Sequence, residues 1–151
     1  MVFPIWEAEA SLTFYGEVLG LPLIDAFGGD DWGGMPWLMM IFAVGDGREL
    51  VLVARRGAAP PSDDTTPADI RHYAFSVGSA DKQDAWRAKL ATAGVNLWEE
   101  DHGRQHSLYF ADPNGVILEI TTPASSPGST PRPEALAFAR GWIRETAALT
   151  L

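Results

Sequence analysis

The sequence contains no cysteine, which excludes disulfides, thiolate metal sites and cysteine nucleophiles together. Basic residues are scarce: 11 lysines and arginines stand against 20 aspartates and glutamates, a net charge of −9. A general nucleic-acid binder needs a positive footprint, so that class is set aside. The acidic balance is ordinary for a soluble protein, and it also suits attraction of a cationic ligand. No apolar run approaches the roughly 20 residues that span a bilayer. The opening Met1-Val2-Phe3-Pro4 lacks the basic start and long apolar stretch of a secretory signal. A cytoplasmic protein without a membrane partner is the expectation. What is present is a chain of 151 residues, 46% hydrophobic, enough for one domain with a real core.

Along the chain, residues 2–6 read as a short strand. Residues 9–19 carry Leu12, Tyr15 and Leu19 at helical spacing, with Gly20 as the stop. Residues 22–27 read as a second strand. Residues 28–34 form a glycine-rich loop holding Asp30, Asp31 and Trp32; without a lysine or phosphate-loop spacing it is not a nucleotide site. Residues 37–44 and 48–54 are two strands joined by a Gly-Asp-Gly turn. Residues 55–69, with Pro60, Pro61 and Pro67, read as an exposed linker. Residues 70–77 are the next strand. A helix capped by Ser79 or Asp81 runs to Ala93, with Trp86, Leu90 and Ala93 inward. Gly94 ends it, and residues 95–98 begin another strand.

Residues 107–111 and 116–121 are strands around Asp112-Pro113-Asn114-Gly115, where Pro113 presets φ and Asp112 can bond the backbone ahead. Alternation puts Val116, Leu118 and Ile120 on one face and Ile117, Glu119 and Thr121 on the other. Glu119 is then a carboxylate in an apolar strand, and its burial demands a partner: a proton, an arginine or a metal ion. Strand–helix–strand–strand–strand occurs twice, which is an internal duplication. Residues 123–133 form a Pro/Ser/Gly/Thr-rich linker. Residues 134–149 then form a helix, with Leu136, Phe138, Trp142 and Ile143 available to pack on the domain or on a partner subunit.

Within this duplicated order, residues 11–21 (SLTFYGEVLGL) and residues 107–119 (SLYFADPNGVILE) resemble the vicinal oxygen chelate superfamily. That group includes glyoxalase I, bleomycin-resistance proteins, fosfomycin-resistance enzymes and extradiol dioxygenases. The resemblance covers about residues 2–122. It implies an α+β fold in one domain, residues 1–122. Two βαβββ modules, about 1–56 and 69–122, would form a cup-shaped mixed sheet, with the C-terminal helix outside it. It also implies a divalent metal ion (Fe, Zn, Mn or Ni) in the cup, ligated from the first and last strands of the modules. His72 matches the ligand histidine of the second module's first strand, and Glu119 the ligand glutamate of its last. The residue pattern agrees, since His72 shares a small, polar strand face with Ala74 and Ser76. An ordinary hydrogen-bonded histidine is the competing reading.

Two positions depart from that pattern. The first-strand histidine of the first module would fall at or just before Met1. In the last strand of that module, aligning Gly47 with Gly115 puts Val51 opposite Glu119. Glu49, on the same face two residues away, could substitute only through a bulge or a shifted register. Extradiol dioxygenases leave this position empty too, so Val51 is compatible with a two-histidine, one-carboxylate iron site.

Tyr109 precedes Glu119 by ten residues, as the active-site tyrosine does in many extradiol dioxygenases; a cross-strand aromatic is the alternative. His102 follows three acids in an expected loop and is a candidate general acid–base, or a solvated turn residue. His106, of opposite parity to Tyr109, reads as structural. Trp32 and Trp37, with Asp30 and Asp31, flank the expected cup mouth and suit a flat or cationic ligand. A packed loop explains them equally well. The resemblance thus implies a metal-dependent lyase or dioxygenase acting on a small substrate that chelates the ion through vicinal oxygens. The alternative is a metal-free binding protein of bleomycin-resistance type that sequesters a cationic or aromatic small molecule. A homodimer is expected in either case, because the superfamily often pairs modules across chains.

Overall fold

The computed structural model describes residues 1–45, 47–60, 70–103, 105–122 and 133–148. Its strands and helices repeat one plan twice. First come β1 (Val2–Ile5), α1 (Ala8–Thr13, continuing as a π-helical turn over Phe14–Val18), β2 (Leu23–Gly29), β3 (Trp37–Ala43) and β4 (Glu49–Arg55). Then come β5 (His72–Ser76), α2 (Ala80–Thr92), β6 (Trp98–Asp101), β7 (His106–Ala111) and β8 (Ile117–Thr121). The two sheets have the orders β1-β4-β3-β2 and β5-β8-β7-β6. In each, the first strand pairs in parallel with the last, and the remaining pairs are antiparallel. The duplication read from the sequence is therefore a duplication of topology. A sixteen-residue helix, α3 (Pro133–Ala148), follows. Residues 61–69 and most of the 123–133 linker lie outside the described residues.

Alternation decides which side chains enter the core. Met40, Phe42, Leu50 and Leu52 from the first sheet join Leu108, Phe110, Leu118 and Ile120 from the second in one buried cluster. Phe3, Ile5, Phe14, Tyr15, Leu19 and Leu90 complete it. Each fully buried Leu or Phe is worth about 1.5–3 kcal/mol, so this shared cluster outweighs any surface pair in holding the modules together.

Several expectations for the helices need correction. Leu12 points outward, 43% exposed, while Ser11 is fully buried. Ser11 belongs inside because its hydroxyl donates to the Glu7 carbonyl at 2.7 Å and accepts from Asn114 Nδ2 at 2.8 Å. On α2, Ser79 is the N-cap, but the inward polar residue is Gln83, and Ala93 lies exposed at the helix end. Gln83 Nε2 donates to the carbonyls of His106 and Ile120 at 2.7 and 3.0 Å, satisfying strand acceptors that burial would otherwise leave unpaired. Residues 95–97 are not strand. β6 begins at Trp98 and takes in Glu99, Glu100 and Asp101, where the sequence suggests a loop. It is an edge strand, exposed along its length, and charge on an edge discourages pairing with other chains.

The Asp112-Pro113-Asn114-Gly115 turn does more than reverse the chain. Asp112 Oδ1 accepts from the backbone N–H of Asn114 and Val116, both at 2.8 Å, and Gly115 takes φ +81°. Asn114 Oδ1 reaches into the other module and accepts from the N–H groups of Trp6 and Glu7, both at 3.0 Å, just ahead of α1. Tyr15 Oη, on the π-helical turn, donates to Asp112 Oδ2 at 2.9 Å. Buried Asp112 is thus fully hydrogen-bonded, the condition under which a carboxylate tolerates burial.

Candidate active site on the second sheet

β8 turns Glu119 away from the core, with Ala74 of β5 beside it and Tyr109 of β7 across from it. Glu119 is only 3% exposed, so its charge needs partners. It has three. His72 Nε2 lies 3.0 Å from Oε2; the Ser107 hydroxyl donates to Oε1 at 2.6 Å, and Gln105 Nε2 at 3.3 Å. Ser107 was legible in principle, being two residues from Tyr109 and so on the same strand face. Gln105 lies in the turn before β7, where no periodicity points to it.

Tyr109 stands next to this group. Its ring stacks on Trp98, which is directly paired with it across the β6–β7 ladder, at 5.5 Å and 15°. The His72 ring meets it edge-on at 5.5 Å. Burial first, and the Glu119 charge second, raise the Tyr109 phenol above its ordinary range, so it keeps its proton at neutral pH. His102 folds back from the β6–β7 turn and places Nε2 3.0 Å from Tyr109 Oη; the imidazole tautomer decides which group donates. Its nearest acid is Glu100, at 3.7 Å. His72, Glu119, Tyr109 and His102 are therefore gathered on one face of one sheet. His106 is directed elsewhere: its Nε2 lies 3.3 Å from Glu99. Glu99 is held below the usual carboxylate range chiefly by its hydrogen bonds from Arg87.

An imidazole nitrogen and a carboxylate oxygen are good donors for Fe, Zn, Mn or Ni, so His72 and Glu119 fit two corners of a divalent site. Among the described residues no group of three or more His, Asp or Glu side chains is gathered for a metal. In the first sheet the positions that match His72 and Glu119 are placed as follows. Val2 pairs with Val51 as Ala74 pairs with Glu119. His72 is two residues before Ala74, so its counterpart is two before Val2, one position ahead of Met1. The β3–β4 register runs unbroken from Ala43–Glu49 to Trp37–Arg55, so Glu49 keeps its distance from the Val51 position.

Trp32, Trp37 and Asp31 belong to the first sheet and its β2–β3 loop. Trp37 is edge-on to Trp32 at 5.4 Å and to Phe27 at 5.9 Å. It shares a sheet face with Met39, Ile41 and Val51, at the Arg55 end. Asp31 Oδ1 accepts from the Gly34 N–H at 2.8 Å, which holds its own loop. The aromatic cluster and the His72–Glu119 pair thus sit on separate sheets.

A family model described as the Glyoxalase/Bleomycin resistance protein/Dioxygenase superfamily matches residues 3–120. The chain is 28% identical over 120 residues to a protein named glutathione transferase FosA from Serratia marcescens, covering 80% of this chain and 76% of that one. A lactoylglutathione lyase structure from Agrobacterium tumefaciens superposes with a TM-score of 0.61 at 18% identity, over 84% of this chain and 93% of that one. The fosfomycin resistance protein FosX from Listeria monocytogenes, solved with Mn(II) and a dihydroxypropylphosphonic acid, gives 0.58 at 15% identity, over 80% and 86%. No described helix is long and apolar enough to cross a membrane. With the duplicated βαβββ topology and a family match spanning nearly the whole of both modules, the chain belongs to the glyoxalase/bleomycin resistance protein/dioxygenase superfamily.

Proposed function

We propose that the chain is a metal-dependent enzyme of the glyoxalase/dioxygenase type, working in the cytoplasm on a small substrate that chelates the ion through vicinal oxygens. The observation that carries this reading is the convergence of His72, Glu119, Tyr109 and His102 on one sheet face. His72 and Glu119 hold the ion, which when bound supplies Lewis-acid polarisation or, as iron, dioxygen activation. Ser107 and Gln105 orient the Glu119 carboxylate. Tyr109, kept neutral, offers its proton to an oxygen that gains charge, and His102 returns a proton to Tyr109 Oη. Trp98 fixes the plane of the Tyr109 ring. Trp32, Trp37 and Asp31 are the proposed substrate-contacting group from the first sheet, brought to the site by a second copy in a homodimer. The Mn(II) in the FosX structure supports a metal site, and the transferase name of the Serratia relative supports an enzyme.

One observation favours a second reading. Glu119 is fully partnered by His72, Ser107 and Gln105, so its burial needs no ion. On that reading the chain binds a flat or cationic molecule at its aromatic cluster and catalyses nothing.

Elemental analysis of purified protein beside His72→Ala and Glu119→Ala separates the two. About one ion per chain, lost in both variants, is the expected result. Protein that stays metal-free after incubation with iron, zinc, manganese and nickel sinks the enzyme reading. Tryptophan fluorescence titrated with a catechol and with a cationic glycopeptide then tests the binding reading directly.

A further inference from the structure

At the Arg55 end of the first sheet lies a pocket of about 370 Å³. Small-ligand sites are built over a range of about 300–1,000 Å³, so the space is sufficient for one. The β3–β4 ladder shapes it. Trp37 and Arg55 are the last cross-strand pair, and side chains so paired stand close together. One residue on, the Arg56 N–H still donates to the Pro36 carbonyl at 2.8 Å, and the Ala58 N–H closes a turn on the Arg55 carbonyl at 3.0 Å. Gly57 takes φ +81° in that turn, and Arg56 is left exposed. Pro36, Trp37, Arg55 and Arg56 line the pocket, and Trp6, from just ahead of α1, joins them.

Its charge comes from the two arginines, for among the described residues no acid lines the pocket. Arg55 is anchored through Nη2, which donates to the Gly33 carbonyl at 3.0 Å. That acceptor is neutral, so it leaves the guanidinium charge uncancelled. Arg55 Nε is buried and has no hydrogen-bond partner, an arrangement that costs free energy until an acceptor is supplied. Arg56 adds a second cation at the exposed side of the same pocket. In a chain of net charge −9, this is a local field opposite in sign to that of the whole molecule.

We infer that this pocket is a binding site for a small aromatic oxyanion, an aryl phosphate or an aryl carboxylate. The oxyanion takes the Arg55 Nε–H and faces Arg56, since planar guanidinium donors match the oxygens of both groups. The ring lies against Trp6 and Trp37. Trp37 is shared with the substrate-contacting group proposed above, but the pocket needs neither the ion nor His72 and Glu119. The arginines beside Trp37 favour an anion over the cation that an aromatic face alone would suit.

The two tryptophans are built-in reporters. The full chain is titrated with phenyl phosphate, benzoate, benzyl alcohol and benzylamine while tryptophan fluorescence is followed, with Trp6→Phe and Trp37→Phe assigning the signal. Phenyl phosphate and benzoate are expected to saturate, the tighter of them about tenfold stronger than benzyl alcohol, with benzylamine weakest. Whichever of the first two binds more tightly identifies the oxyanion. Arg55→Lys keeps the charge but lacks the Nε–H, and Arg56→Gln changes an exposed side chain. Each should weaken that oxyanion by about fivefold or more and leave benzyl alcohol unchanged; circular dichroism confirms that each is folded. His72→Ala should bind the oxyanion as the parent does, which separates this pocket from an ion held on the second sheet. Equal binding of both oxyanions and benzyl alcohol overturns the anion assignment. A lack of saturation with all four compounds, loss in His72→Ala, or undiminished binding in either folded arginine variant overturns the site.

Discussion

Asn114 occupies a surface turn, yet it is only 9% exposed, and its amide accepts from Trp6 and Glu7 and donates to Ser11 and Asp112. Asn114→Ala leaves the Trp6 and Glu7 N–H donors without partners and removes one of the two hydrogen bonds of the buried Ser11 hydroxyl. Its expected cost is about 2–4 kcal/mol, read from the midpoint of chemical denaturation. A loss below about 0.5 kcal/mol would mean that water replaces the amide fully. Tyr109→Phe tests the other kind of residue. It removes the bond to His102 but keeps the stack on Trp98, so stability should change by less than about 1 kcal/mol. Turnover of any substrate found should fall by about a hundredfold or more. An active Tyr109→Phe protein would remove the phenol from the proposed chemistry. Of the four converging residues, His72, Glu119 and Tyr109 were legible from strand parity and family resemblance. That His102 folds back onto Tyr109 is a property of the turn, and no spacing encodes it.

At the scale of elements, β2 and β3 approach so closely that a Cβ on Gly28 would lie 2.4 Å from the Trp37 carbonyl oxygen. Backbone cannot give way as a side chain can, so Gly28→Ala should displace β2 and disturb the Trp37 cluster. A loss of about 1–3 kcal/mol is expected, with a shift in tryptophan emission as the independent readout; an unchanged spectrum would show that the strand edge yields freely. The helix α3 presents the reverse situation. Leu136, Phe138 and Ile143 are 55–79% exposed, so the chain's own domain leaves these side chains largely uncovered. Phe138→Ser should therefore leave the stability of a single chain within about 0.5 kcal/mol. If the proposed homodimer uses this face, sedimentation should show the variant dissociating at higher concentration than the parent. Unchanged sedimentation would assign the contact elsewhere.

For the whole molecule, the joint between modules sets the response to alkali. Burial first, then the Asp112 charge, push the Tyr15 phenol far above its ordinary range. An acid whose folded pKa is raised keeps its proton in the native state while the unfolded chain releases it. The neutral phenol's contribution is therefore complete below about pH 10, the ordinary tyrosine value, and is lost as pH rises beyond it. Stability should fall steadily as pH rises above about 10, and Tyr15→Phe should flatten that slope at the expense of the bond to Asp112. An equal slope in the variant would place the alkaline sensitivity in other groups.

The sequence by itself determined the order of elements, the duplication and the strand faces. Those follow from local periodicity and turn chemistry, which act over a few residues. Family resemblance added Glu119 and His72 as a pair. Only the tertiary structure decided that Glu119 is partnered by Ser107 and Gln105, that Asn114 braces the other module, that Leu12 and Ala93 face outward, and that Trp6 joins Arg55 and Arg56 at one pocket. Each of these depends on which surfaces meet across dozens of intervening residues. Such meetings are set by the summed burial of two sheets and two helices, a quantity no single stretch of chain carries.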